Sequence, residues 1–176
     1  MAQAACPAGD LPLPATPYIP GRTARPTSGA FIEIADRAPA TTDPDLWRDN
    51  EAWLCGFTLY RAGFFWETHE VWEPVWMGTR PNSAERQIVQ GLIQLANGCL
   101  KLAMHRPKAA LRLVREAHQR LGDARSGGAN RLMGLDPASA HAAIGAFLAS
   151  AETWQEREPE EILRGRPHLE VEDDAF

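Results

Sequence analysis

Apolar residues recur every three or four positions through the middle of the chain, which is the spacing of amphipathic helices. A first helix is predicted to begin at Asp43-Pro44, because Asp43 can cap free N–H groups and Pro44 suits the first helical position. It is predicted to end near Arg61. Asp136-Pro137 repeats this start signal before a later helix. Because no alternating strand pattern is present, we predict an all-α fold, a compact bundle of about five helices.

The second predicted helix starts near Phe64 and has two contrasting faces. One face is apolar. The other carries tryptophans and ionisable residues, namely Trp66, His69, Glu70, Glu73 and Trp76. Pro74 has no N–H to donate to the carbonyl of Glu70, so a kink or a break is predicted beside the acidic residues.

The third predicted helix, from about Ala84 to His105, is apolar except for one narrow stripe. The stripe holds amides, two glycines and two basic side chains: Gln87, Gln90, Gly91, Gln94, Asn97, Gly98, Lys101 and His105. An ordinary solvated face would be rich in Lys and Glu, and each glycine costs about 1 kcal/mol in a helix interior. We therefore predict a central helix with a half-buried polar seam, closely approached by a neighbouring element.

The two ends of the chain lack this periodicity. Residues 1–40 hold seven of the fourteen prolines and are predicted to form an extended Pro-rich arm, disordered at its start. Tyr18 and Ile19 are expected to anchor this arm along the helical body, and residues 31–34 to form a short extended segment or another surface anchor. Residues 41–156 are assigned to the helical domain, and residues 157–176 to an irregular acidic tail.

Composition and charge narrow the class of protein. A hydrophobic share of 44% and a charged share of 23% are typical of a globular protein, and a net charge of -5 disfavours general binding to nucleic acid or anionic membranes. No apolar run reaches the length of about 18 residues that a membrane span needs. The N-terminus lacks the pattern of a secretory signal. The widely spaced Cys6, Cys55 and Cys99 predict reduced thiols and a cytoplasmic location.

The acidic face of the second helix is the candidate site of chemistry. His69 and Glu73 are one helical turn apart and project together, which makes them a workable pair of ligands for a divalent metal. Glu70 is the neighbouring general base or a third ligand, and Glu67 is a further candidate for either role. The metal would activate a water molecule. The same His/Glu spacing also occurs as an ordinary surface interaction, and that alternative stays open.

Nearby polar and aromatic residues are candidates for positioning a ligand: Gln90, Gln94, Trp66, Trp76 and Lys101. The amides would orient carboxylates or substrate, and the indoles would wall a pocket for a flat or cationic ligand. The lysine would neutralise a glutamate or extend to water. A purely structural role is the alternative, since buried amides fix helix register and tryptophans fill cores.

These motifs resemble those of the DUF309 family, a small all-helical family. The family hallmark is G-x-[FY]-[FYW]-E-x-H-E-x-x-E, followed by a Q-G-L-I-Q-L-A helix. Residues 63–73 and 90–96 match its two parts, and the resemblance covers about residues 17–125. It implies the signature positions Glu67, His69, Glu70, Glu73, Gln90, Gly91 and Gln94. Family members are sometimes labelled predicted metal-dependent hydrolases; Pro74 departs from the usual pattern.

Three functional hypotheses follow. The first is a metal-dependent hydrolase with a divalent metal of unspecified identity between the second and third helices, acting on a small-molecule substrate. The second is a non-catalytic helical module that binds a small ligand or a partner protein in the same tryptophan-rimmed cleft. The third is a purely structural seam. A homo-oligomer is a separate expectation.

Overall fold

The computed structural model describes residues 11–172, and this part of the chain is all-α, as predicted. Cys6 and the expected disordered start lie outside the described residues. Within residues 11–172 there are two short 3-10 segments, Pro44–Asp49 and Ala151–Thr153, and seven α-helices. The helices are α1 (Ala30–Asp36), α2 (Glu51–Arg61), α3 (Phe65–Gly78), α4 (Ala84–Ala103), α5 (Pro107–Arg125), α6 (Pro137–Ala149) and α7 (Pro159–Arg164).

The number of helices exceeds the prediction partly because the first predicted helix is divided in two. Asp43 caps the 3-10 segment by accepting a hydrogen bond from the Asp45 N–H. Asn50 then adopts an extended conformation, and its side chain accepts a hydrogen bond of 3.0 Å from the Trp53 N–H. This second cap starts α2 afresh, because an Asn side chain can satisfy an N–H group that has no partner in a first helical turn.

The expectation that the two ends lack helices is wrong for two short segments. Phe31 and Ile34 lie in α1, and both are buried, with 1% and 4% of their surfaces exposed. Their spacing of three residues puts both side chains on one helical face. In the tail, Ile162 of α7 is buried in the same way. Each helix is too short to show a periodic pattern, and each buries only two residues.

Pro74 does not break α3, which runs without interruption from Phe65 to Gly78. The last turns of this helix are tied to the preceding segment at Thr42. The Thr42 hydroxyl donates to the Val75 carbonyl at 2.7 Å, and the Thr42 N–H donates to the Gly78 carbonyl at 2.9 Å. These bonds satisfy carbonyls near the end of the helix and hold the residues beyond the proline in place.

The central helix α4 packs between α3 and α5. Its glycines allow the close approach that the sequence predicts. A Cβ atom at Gly91 would lie 2.4 Å from Leu121, and one at Gly98 would lie 2.6 Å from Val114, both on α5. Cys99, also on α4, is fully buried, and burial raises the pKa of its thiol to about 12, in agreement with an unreactive thiol.

A third close approach fixes α3 against α2. The ring of Trp72 is fully buried, and its Nε1–H donates to the Trp53 carbonyl at 3.0 Å. A Cβ atom at Gly56 would lie 2.0 Å from Trp72 Nε1. The indole of α3 therefore lies in a notch of α2 that exists because position 56 has no side chain.

Replacing Gly56 with Ala should therefore destabilise the fold. The methyl group would displace Trp72 from a close-packed site, at a cost of about 3 kcal/mol, while the gain in helix propensity returns about 1 kcal/mol. We expect urea denaturation to show a loss of about 2 kcal/mol in the free energy of unfolding. Gly127→Ala is the matched control, because its Cβ would meet only the Ala124 carbonyl, at 3.5 Å. Equal stability of the two variants would contradict this account.

Candidate metal centre

The packing of α3 presents three of its four ionisable residues away from the core. The face that contacts the rest of the protein is Thr68, Val71, Trp72 and Val75, all of them buried. The other face carries His69, Glu70 and Glu73, and a ligand atom from each lies within 4.8 Å of the others. We call these three residues the His69 cluster. His69 and Glu70 are half-buried, and Glu73 is exposed.

Asn97 of α4 orients the imidazole of His69. The distance between His69 Nδ1 and Asn97 Oδ1 is 2.9 Å. Because an amide oxygen accepts hydrogen bonds, Nδ1 is the donor in this contact, and the lone pair of the neutral imidazole is then the one on Nε2. Metal-bound histidines are typically held by such a bond through their other nitrogen. The three residues therefore offer one imidazole nitrogen and two carboxylates to a common centre.

Glu67 lies outside the His69 cluster and is fully buried. Its Oε1 accepts a hydrogen bond of 2.8 Å from the Tyr18 N–H, whereas its Oε2 is buried without a hydrogen-bond partner. Burial raises the pKa of the Glu67 carboxyl; the hydrogen bond from the Tyr18 N–H opposes this effect, and the nearby charge of Glu70 adds to it. This residue joins the N-terminal arm to α3.

Burial is also the main reason why the pKa of the Glu70 carboxyl is raised. The neighbouring Glu73 adds to this effect, while His69 and Arg25 oppose it. Arg25 belongs to the arm, and its guanidinium lies 5.2 Å from the centre of a Trp66 ring. The arm therefore brings a positive charge to the edge of the His69 cluster.

The arm is held across α3 and α4 by several further contacts. The edge of the Tyr18 ring meets Trp66 with ring centres 4.9 Å apart. Arg22 donates to the carbonyl of Ala103, the last residue of α4, at 3.1 Å. These contacts agree with the expectation that Tyr18 anchors the arm on the helical body.

The two tryptophans that were expected to rim a cleft each contact side chains of the same chain. Trp66 contacts Tyr18 and Arg25 of the arm and Phe31 of α1. The guanidinium of Arg86 lies 4.2 Å from the centre of a Trp76 ring and donates to the Trp76 carbonyl at 3.0 Å. Trp76 Nε1 is buried without a hydrogen-bond partner.

The amide stripe of α4 divides between two neighbours, whereas Gln90 and Gln94 were both expected to orient carboxylates or substrate. Gln94 donates to Glu116 of α5 at 3.3 Å, so it points away from the cluster. Gln90 and Lys101 precede and follow Asn97 by seven and four residues, and they share its side of α4. Both are half-buried, and neither makes a side-chain hydrogen bond within residues 11–172.

One pair of histidines is close in space although the sequence gives no sign of it. His118 of α5 and His141 of α6 stack with ring centres 3.8 Å apart, and His141 Nδ1 lies 3.0 Å from the His118 carbonyl oxygen. Burial and the charge of His141 lower the pKa of His118. Because 23 residues separate the two, neither spacing nor periodicity could have paired them.

Replacing Asn97 with Ala tests whether the His69 cluster is a metal site, because a metal site would lose affinity without losing a ligand. The change takes away the acceptor that fixes the imidazole of His69, and losses of this kind typically cost about 10- to 100-fold in affinity. Zn²⁺ titration by isothermal calorimetry would measure the change. Gln87→Ala is the control, because Gln87 lies on the same helix but accepts from Arg120. Unchanged affinity in Asn97→Ala would show that this contact does not support the site.

Comparison with known proteins agrees with the resemblance seen in the motifs. Residues 53–113 match the family model described as "Domain of unknown function (DUF309)". The matched stretch includes all of α3 and α4, and with them the His69 cluster and Asn97. No curated protein and no solved structure matches the chain. Within residues 11–172, none of the helices has the length and apolar character to cross a membrane. Over residues 53–113, the chain is thus similar to the DUF309 domain.

Proposed function

We propose that the DUF309-like domain binds a divalent metal at the His69 cluster and uses it for hydrolysis of a small-molecule substrate. The observation that carries this proposal is the convergence of His69, Glu70 and Glu73, together with the bond from His69 to Asn97. Neither the convergence nor the bond to Asn97 would carry the proposal alone. Acidic side chains, for example, often lie close together on protein surfaces.

The donor set fits a catalytic metal better than a structural one. Catalytic zinc sites typically use three protein ligands from His and carboxylates and keep a position open for water. The ligand atoms lie within 4.8 Å of one another, whereas ligands of one tetrahedral zinc ion lie about 3.4 Å apart, so side-chain rotations would have to draw them closer on binding. A bound divalent ion would supply a water molecule that ionises near neutral pH.

The side chains around the ion have separable roles. His69 and Glu73 would hold the ion, with Glu73 on the exposed side where substrate arrives. Glu70 would accept the proton of the attacking water on a carboxylate oxygen or act as the third ligand. We assign this base role to Glu70 and not to Glu67, because Glu67 is fully buried and already accepts the Tyr18 N–H.

The second hypothesis, a binding module that uses a tryptophan-rimmed cleft, has less support. Trp66 and Trp76 contact the arm and Arg86 respectively, so a ligand would have to displace residues of the same chain. The experiment that tests the metal site also tests this alternative.

The test is the metal content of full-length protein purified without chelators and then loaded with Zn²⁺, Mn²⁺ or Mg²⁺. We expect about one ion per chain, lost in His69→Ala and Glu73→Gln, and metal-dependent cleavage of p-nitrophenyl esters or phosphates. His105→Ala is the matched control, because His105 is exposed beyond the end of α4. Circular dichroism would confirm that the variants are folded.

Two results would contradict the proposal. Wild-type protein that takes up no metal under any loading condition would remove the metal site. Stoichiometric metal without hydrolysis of any substrate class would remove the enzymatic part and favour a binding module.

A further inference from the structure

A cavity lies at the C-terminal end of α2, away from the His69 cluster. It has a volume of about 350 Å³ and is lined by Tyr60, Arg61, Arg164, Arg166, Pro167 and His168. Four of these six side chains are basic, in a protein whose net charge is -5. We call it the Arg166 cavity.

The cavity is held in shape by bonds between α2 and the segment that follows α7. Tyr60 is buried, and its hydroxyl donates to the Pro167 carbonyl at 3.0 Å. Arg166 donates to the Arg61 carbonyl at 2.7 Å and to the Leu163 carbonyl at 2.8 Å. The Arg166 guanidinium is thereby fixed 5.8 Å from the centre of the Tyr60 ring.

The positive charge of this cavity is only partly balanced. Among the described residues, no carboxylate lies within salt-bridge distance of Arg61, Arg164 or Arg166. Glu170 pairs with His168 of the lining; that contact, and to a smaller extent Arg61, lowers the pKa of the Glu170 carboxyl. Arg166 is half-buried beside two aromatic rings, so water cannot fully solvate its charge.

We propose that the Arg166 cavity binds the phosphate group of a small phosphorylated molecule. Guanidinium groups present planar pairs of N–H donors that match phosphate oxygens, and two of the five N–H groups of Arg166 are used by carbonyls. The doubly charged phosphate balances three arginines better than a single carboxylate does. The volume of about 350 Å³ is larger than phosphate alone and leaves room for the molecule that carries it.

This inference does not rest on the proposed function, since none of the lining residues belongs to the His69 cluster. Arg164 would be the most accessible contact, because its side chain is exposed and makes no ion pair or side-chain hydrogen bond within residues 11–172. Arg166 would contribute the fixed contact at the floor of the cavity.

The test uses the full chain and three probes, inorganic phosphate, glycerol 3-phosphate and uncharged glycerol, followed by isothermal calorimetry and by thermal unfolding. We expect both phosphates to bind and to raise the midpoint of unfolding, and glycerol to do neither. Arg164→Gln should weaken phosphate binding about tenfold. Arg112→Gln on α5 is the control, because Arg112 is also exposed and also has no ion pair in the described part of the chain.

Arg166→Lys separates binding from folding, because it keeps the charge but loses the paired N–H donors. We expect a folded protein with phosphate binding reduced at least as much as in Arg164→Gln. The inference would be overturned if neither phosphate bound at concentrations up to about 10 mM. It would also be overturned if Arg112→Gln weakened binding as much as Arg164→Gln does, since the attraction would then be general.

Discussion

The position of Trp72 against Gly56 is the constraint on which the rest of the structure depends. The indole is fully buried and bonded to the Trp53 carbonyl at 3.0 Å, in a notch where even a methyl group would clash. Because this contact fixes the rotation of α3, it also fixes the direction of the opposite face. The convergence of His69, Glu70 and Glu73 is therefore set by apolar packing, and the three polar side chains need not attract one another to meet.

The central helix α4 serves two neighbours through one polar stripe. Its glycines and Gln94 face α5, where missing side chains let the two helices come close and Gln94 bonds to Glu116. Asn97 faces α3 and orients His69. An apolar residue at position 97 could not orient His69, because this role requires a hydrogen-bond acceptor next to His69 Nδ1. The stripe thus combines close helix packing with the positioning of one imidazole.

The sequence predicts much of the fold and of the cluster because local spacing determines both. The His69–Glu73 pair follows from one helical turn, and the α4 glycines follow from their position on a polar stripe. Spacing could not show that Asn97 and not Gln94 reaches His69, since both lie on that stripe and their partners come from other helices. The bond from the Tyr18 N–H to Glu67 could not be predicted either, because the residue type does not show which backbone N–H group donates to a side chain. The cap at Asn50 was missed because an apolar pattern continues across it.

The N-terminal arm links the core to the His69 cluster. Its backbone is bonded to buried Glu67, and its Arg25 lies at the edge of the cluster. Any cation at the cluster would share this space with the charge of Arg25.

The most direct test of the central claim is anomalous diffraction from crystals grown with Mn²⁺ or Zn²⁺. The account predicts one strong peak bounded by His69, Glu70 and Glu73, about 2.1 Å from His69 Nε2. Crystals saturated with metal but lacking a peak at that position would contradict it.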